Sequence, residues 1–135
     1  MHILFNMYAL WLFGAAMEKL WGTKKFLIFY FACGLAAAFA ELNFLPPLGA
    51  VGASGAVMGV LGAYAFTYPN VQFFIIPFPF PIKAKYLAMG YAAIDLFGGI
   101  SNTSDGIAHF AHLGGLVMGI ILALFWTKKN QNYRY

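Results

Sequence analysis

Apolar runs of bilayer length divide this chain, and that pattern leaves few folds open. The runs occupy positions 2–17, 26–45, 49–68, 86–100 and 107–126, and they hold no Lys or Arg and only the acids Glu41 and Asp95. A helix rising 1.5 Å per residue needs about 20 such residues to cross ~30 Å of hydrocarbon. In lipid a spanning backbone must satisfy its own hydrogen bonds, so the runs are expected to be helices packed as a bundle. The expected fold is an all-α polytopic membrane protein: one transmembrane domain over 1–135 with five spans. The charge content agrees. Of 135 residues 62% are hydrophobic and 9% charged, with a mean hydropathy of +0.75. A soluble domain is about half apolar and a quarter charged. An aromatic content of 19% excludes a disordered chain, and the lone Cys33 excludes an internal disulfide. The net charge of +4 comes from scattered lysines, so a nucleic-acid partner is not expected and the partner implied is the bilayer.

The breaks between runs set the topology. Gly22-Thr23-Lys24-Lys25 separates the first two, and 43–49, with Pro46 and Pro47, separates the next two. Pro69, Pro77, Pro79 and Pro81 make 70–81 a poor helix, yet Phe73, Phe74, Ile75 and Ile76 keep it apolar. That stretch is expected at the membrane interface or against the bundle. Positions 98–106 read as a polar turn, and 128–135 as a basic tail. The basic residues Lys19, Lys24, Lys25, Lys83, Lys85, Lys128, Lys129 and Arg134 all fall on one side of the implied membrane. By the positive-inside rule that side is cytoplasmic. The C-terminus is then inside and the N-terminus outside. No basic leader and cleavage site precede the first run, and a bacterial-type plasma (inner) membrane is the expected location.

Polar residues inside spans are costly to bury in lipid and so are candidates for function. The topology brings several of them to one depth in the outer half of the bilayer. His2 and Asn6 open the first span, Ser54 lies a few residues into the third, and His109 and His112 a few residues into the fifth. His2 and Asn6, at i and i+4, share a helix face and can both donate hydrogen bonds, as an oxyanion hole requires. Ser54 stands in Gly52-Ala53-Ser54-Gly55, whose small neighbours admit another backbone or a substrate. Gly55, Gly59 and Gly62 continue down its span, and Gly115 and Gly119 continue on the face of His112. Such faces allow two helices to meet closely enough for a histidine to reach the serine hydroxyl. Other readings stay open on the residues alone. The Gly-x-Ser-Gly turn serves packing in many spans. His109, His112 and His2 together make a possible metal site, lacking a nearby carboxylate other than Asp105. Asp95 with the histidines suits a small proton-coupled transporter. Glu18 lies at the opposite end, Cys33 reads as packing, and Trp11, Trp21 and Trp126 as packing or interface anchors.

The set His2-Ile-Leu-Phe-Asn6, Glu18-Lys19 with Gly22, Gly52-Ala53-Ser54-Gly55, and Ala111-His112-Leu113-Gly114-Gly115 with Gly119 closely resembles the rhomboid intramembrane serine proteases. The likeness runs over essentially the whole chain, in order. It implies a rhomboid-like helical bundle and a serine-type endopeptidase cleaving peptide bonds in or near transmembrane segments of membrane proteins. It implies a Ser–His dyad with no acidic third member, no cofactor and no metal. Ser54 is the implied nucleophile and His112 the implied base. His2, Asn6 and the Ser54 backbone N–H form the implied oxyanion hole, and the site opens to the outer side. His112 is preferred to His109 because the glycines follow on its own face. Two departures stand out. The family core has six spans, and this chain reads as a piece lacking the first span and the loop after it. One turn below Ser54, where the family often has an aromatic residue stacked on the histidine, stands Met58. The rival within the family is a catalytically inactive rhomboid-like protein that binds membrane clients.

Overall fold

The computed structural model describes residues 2–44, 54–74, 79–101 and 109–129; at 2–5, 41–44, 95, 98–101, 109–110 and 127–129 it describes the backbone alone. Breaks 45–49 and 102–106, along with Gly52, Ala53, Asp105 and the tail beyond 129, lie outside the described residues. The elements are α1 (His2–Ala9), a π-helical turn (Leu10–Gly14), α2 (Ala15–Trp21), α3 (Thr23–Phe44), α4 (Ser54–Thr67), β1 (Gln72–Phe74), β2 (Pro81–Lys83), α5 (Ala84–Ser101) and α6 (His109–Lys129).

The first apolar run forms one rod, α1 through α2, and extends past position 17 to Trp21. Its buried residues Ala9, Phe13 and Met17 stand four apart. In a regular α-helix each such step turns about 40° away from the last. The wider π turn between them keeps all three facing the bundle. Gly14 makes room inside this turn, since a Cβ there would sit 3.0 Å from Leu10 Cδ1 and 3.2 Å from the Phe26 ring. The rod ends at Gly22, whose N–H donates to the Glu18 carbonyl at 2.7 Å. Its φ of 88° and ψ of 157° form a conformation open in practice only to glycine. The reversal lets α3 start at once.

α3 has 22 residues, and its Thr23–Ala40 window is long and apolar enough to cross a membrane. The apolar helical stretches Ser54–Thr67 and Ala111–Trp126 are shorter among the described residues. α4 is the axis of the bundle. It is buried without interruption from Gly55 to Ala65 and touches each of the other helices. The sequence makes this possible by omitting side chains. A Cβ on Gly115 would meet the Gly55 carbonyl group, and one on Gly119 the Gly59 carbonyl, so α4 and α6 touch backbone to backbone and run parallel. α3 closes the third side antiparallel, with Ala37 against Gly55, Cys33 against Gly59 and Ala40 against Gly114.

The opposite end is aromatic. Trp21 meets Phe29 and Trp126, each at 4.9 Å between ring centroids, and Lys25 Nζ lies 5.2 Å over the Trp126 ring. Thus Trp21 and Trp126 pack on one another, while Trp11 is exposed. These contacts gather the end of α2, the start of α3 and the end of α6.

Two expectations need correcting. The fold is not wholly α: the stretch after α4 pairs as an antiparallel hairpin, with Gln72 opposite Lys83, Phe73 opposite Ile82 and Phe74 opposite Pro81. The prolines that forbid a helix leave the aromatic and β-branched residues free to pair, and Pro81 takes the first position of its strand, where a missing N–H is tolerated. Second, α5 continues through Gly98 and Gly99 to Ser101 rather than breaking at Gly98.

Candidate active site

Ser54 is the first residue of α4 and His112 the fourth of α6, and both are half-buried. His112 Nε2 lies 3.1 Å from Ser54 Oγ, within hydrogen-bond distance. The glycine contact sets this spacing. Gly115, one turn after His112, lies against Gly55, the residue next to Ser54; a Cβ on Gly55 would approach the Ala111 carbonyl oxygen to 3.3 Å. With the main chains locked there, the residues one turn higher on α6 and at the tip of α4 face each other.

The first rod reaches the same depth. Phe13 packs on Tyr64, ten residues after Ser54, with ring centroids 5.1 Å apart. The rod runs toward the Trp21–Trp126 end, as α4 and α6 do. At 1.5 Å per residue Ser54 is about 15 Å above that contact, and Asn6 and His2 are about 10 and 16 Å above it. Asn6 is half-buried; for His2 and His109 only the helical backbone is described, which puts His109 one turn before His112 on α6. Met58 is 7% exposed, one turn below Ser54. Glu18, the one carboxylate whose side chain is described, is exposed on α2 near the Trp21 end. Asp95 lies on α5, its side chain outside the described residues. Among the described residues no group of three His, Cys, Asp or Glu side chains gathers. Cys33 is fully buried against Gly59 and fills space.

A serine hydroxyl within hydrogen-bond distance of an imidazole nitrogen, at the half-buried junction of apolar helices, defines a class: an apolar helical bundle with a serine–histidine pair. The comparisons go further. A family model for the Rhomboid domain matches residues 1–129. Among curated relatives, Rhomboid protein 1, mitochondrial, of Saccharomyces cerevisiae is 28% identical over 98% of this chain and 40% of its own length. Rhomboid protease GluP of Bacillus subtilis is 31% identical over 90% of this chain and 22% of its own length. Presenilin-associated rhomboid-like protein, mitochondrial, of Homo sapiens is 32% identical over 88% of this chain and 32% of its own length. No solved structure matches. The chain belongs to the rhomboid family and is an integral membrane protein. It spans well under half the length of these relatives. Two of the three are named as mitochondrial, which runs against the expectation of a bacterial-type inner membrane.

Proposed function

We propose that this chain is the catalytic core of an intramembrane serine endopeptidase acting on transmembrane segments of other membrane proteins. The observation that carries the reading is the 3.1 Å approach of His112 Nε2 to Ser54 Oγ. Ser54 Oγ attacks the scissile carbonyl carbon while its proton passes to His112 Nε2. The oxyanion that forms is held by the Ser54 backbone N–H with Asn6 and His2, from a rod at the same depth. As the C–N bond breaks, His112 returns the proton to the leaving amine, and Ser54 is left as an ester. A water molecule, deprotonated by His112, then attacks that ester; the acid leaves, and the proton returns to Ser54. No step needs a metal or cofactor.

The same reading includes one domain over 1–135 with five spans near 2–17, 26–45, 49–68, 86–100 and 107–126. The C-terminus is cytoplasmic and the site opens to the outer side, through which water reaches Ser54. The gathering of Trp21, Lys25 and Trp126 at one end, far from Ser54, supports that sidedness. The test is labelling by a fluorophosphonate probe in detergent, with Ser54→Ala as control. Labelling that disappears in Ser54→Ala supports the protease. Labelling that survives assigns the nucleophile elsewhere, and a folded protein with no labelling favours an inactive client-binding rhomboid.

A further inference from the structure

The β1–β2 hairpin takes no part in the dyad, and its two faces differ. Its inner residue Phe73 is half-buried against Phe13 and Tyr64, at 5.3 and 5.8 Å between ring centroids. Main-chain bonds tie the turn after α4 to the start of α5 at the hairpin's base: Val71 N–H to Tyr68 at 3.4 Å, Ala84 N–H to Val71 at 2.8 Å and Lys85 N–H to Pro69 at 3.1 Å. Phe74 on β1, Val71 just before it and Tyr86 in the first turn of α5 are 70, 40 and 56% exposed. Lys83 ends β2 opposite Gln72, and Lys85, in the first turn of α5, has its Nζ 5.1 Å over the Tyr86 ring. α4 runs parallel to α6, so the hairpin hangs at the same end of the bundle as Lys25 and Trp126.

A hairpin so placed has one suitable environment. A two-stranded sheet has two edges whose main-chain groups need water or headgroups, which hydrocarbon does not provide. Exposed aromatic rings beside lysines match the membrane–water boundary, where rings sit at headgroup level and lysine stems lie along them. We propose that the hairpin and the first turn of α5 form an interfacial anchor: Phe74 and Tyr86 enter the headgroup layer on the basic side, and Lys83 and Lys85 hold the phosphates of anionic lipids there. Charge selects this occupant. A second copy of the chain would bring the same lysines together, and a free phosphate offers nothing to the rings. The proposal does not depend on the dyad being active.

The test uses the full chain carrying Cys33→Ala and Phe74→Cys, with an environment-sensitive fluorophore attached to the introduced thiol. It is reconstituted in vesicles of phosphatidylcholine, alone or mixed with phosphatidylglycerol. Quenching by acrylamide reads water, and quenching by a shallow doxyl lipid reads the interface. Phosphatidylglycerol is expected to lower acrylamide quenching and raise doxyl quenching. In Lys83→Gln/Lys85→Gln the lipid fraction needed for half the change should rise, each lysine near an anionic surface contributing about fivefold. A label placed through Tyr86→Cys should report the same behaviour, which guards against damage to the strand. Acrylamide quenching unaffected by either lipid, without doxyl quenching, overturns the anchor. Protection that ignores phosphatidylglycerol or survives the double Gln variant overturns the headgroup site. Protection produced by inorganic phosphate in neutral vesicles assigns a free anion and overturns the lipid.

Discussion

Gly115→Ala is the smallest change that separates a backbone-set dyad from one set by side chains. A Cβ at this position would meet the Gly55 carbonyl oxygen and come within 2.7 Å of its carbon. Comfortable carbon–carbon contact is about 3.5–4.0 Å, so α4 and α6 must part by about 1 Å. The atom met is main chain, so no rotamer change relieves it. Overpacking of this kind costs about 1–3 kcal/mol. The separation also acts one turn higher. Ser54 Oγ and His112 Nε2, now 3.1 Å apart, would stand near ~4 Å, beyond the ~3.2 Å reach of proton transfer. A misplacement of about 1 Å can lower turnover on the order of 10²-fold. Gly90→Ala on α5 is the control, because a Cβ there meets nothing within 4 Å. It should be neutral or stabilise by up to ~1 kcal/mol through helix propensity. The assay is thermal unfolding in detergent paired with the rate of fluorophosphonate labelling. If Gly115→Ala matches Gly90→Ala in both, the backbone contact does not set the site.

Other expectations follow from the same geometry. His112→Ala should abolish cleavage of a transmembrane reporter, while His109→Ala should cost much less; equal losses would point to a paired-histidine site. Asn6→Ala should reduce kcat by the equivalent of ~2–4 kcal/mol if the side chain stabilises the oxyanion, and an unchanged rate would remove it from the hole. Gly22→Ala should destabilise by about 1–3 kcal/mol despite open space around it, because φ is 88° and ψ 157°; denaturant unfolding reads this, and a neutral result would show that the turn adapts. In a Cys33→Ala background, Thr103→Cys should react with a membrane-impermeant thiol reagent from outside and Asn130→Cys only from inside. The reverse pattern would invert the sidedness.

What was legible in the sequence depended on how local the signal was. Apolar runs almost without charge pointed to helices, because a backbone placed in lipid has little choice. The approach of Ser54 to His112 was legible through Gly55, Gly59, Gly115 and Gly119, since glycines at helical spacing mark where two main chains can touch. Asn6 was expected near the level of Ser54 from where the apolar runs begin, and the contact of Phe13 with Tyr64 puts its rod alongside α4. The hairpin was not: strands of three residues carry too little alternation, and the prolines say only that a helix is absent. The π turn was also hidden, for Leu10-Trp11-Leu12-Phe13 is ordinary helical sequence. It lies where Phe26 comes close to Gly14 and where Tyr64 and Phe73 pack on Phe13, contacts that nothing local in the run announces.

That π turn changes how insertions and deletions should act in the first helix. It is equivalent to one residue added to an α-helix, so it works as an indexing step between two halves of a rod. Removing any one residue from 10–14 would restore regular α-helix without emptying the core of atoms. Everything before the deletion would then keep its angular position relative to Met17 and Trp21, because the five residues of the π turn sweep about as much angle as four of a regular α-helix. Straightening the turn without a deletion does the opposite: every side chain from His2 to Ala9 would remain present, yet Asn6 would rotate by about 100° off its half-buried face. A gene losing one codon there would lose less than one whose substitution straightens the turn, and a one-residue gap placed within this segment by a pairwise alignment would leave the upstream register intact.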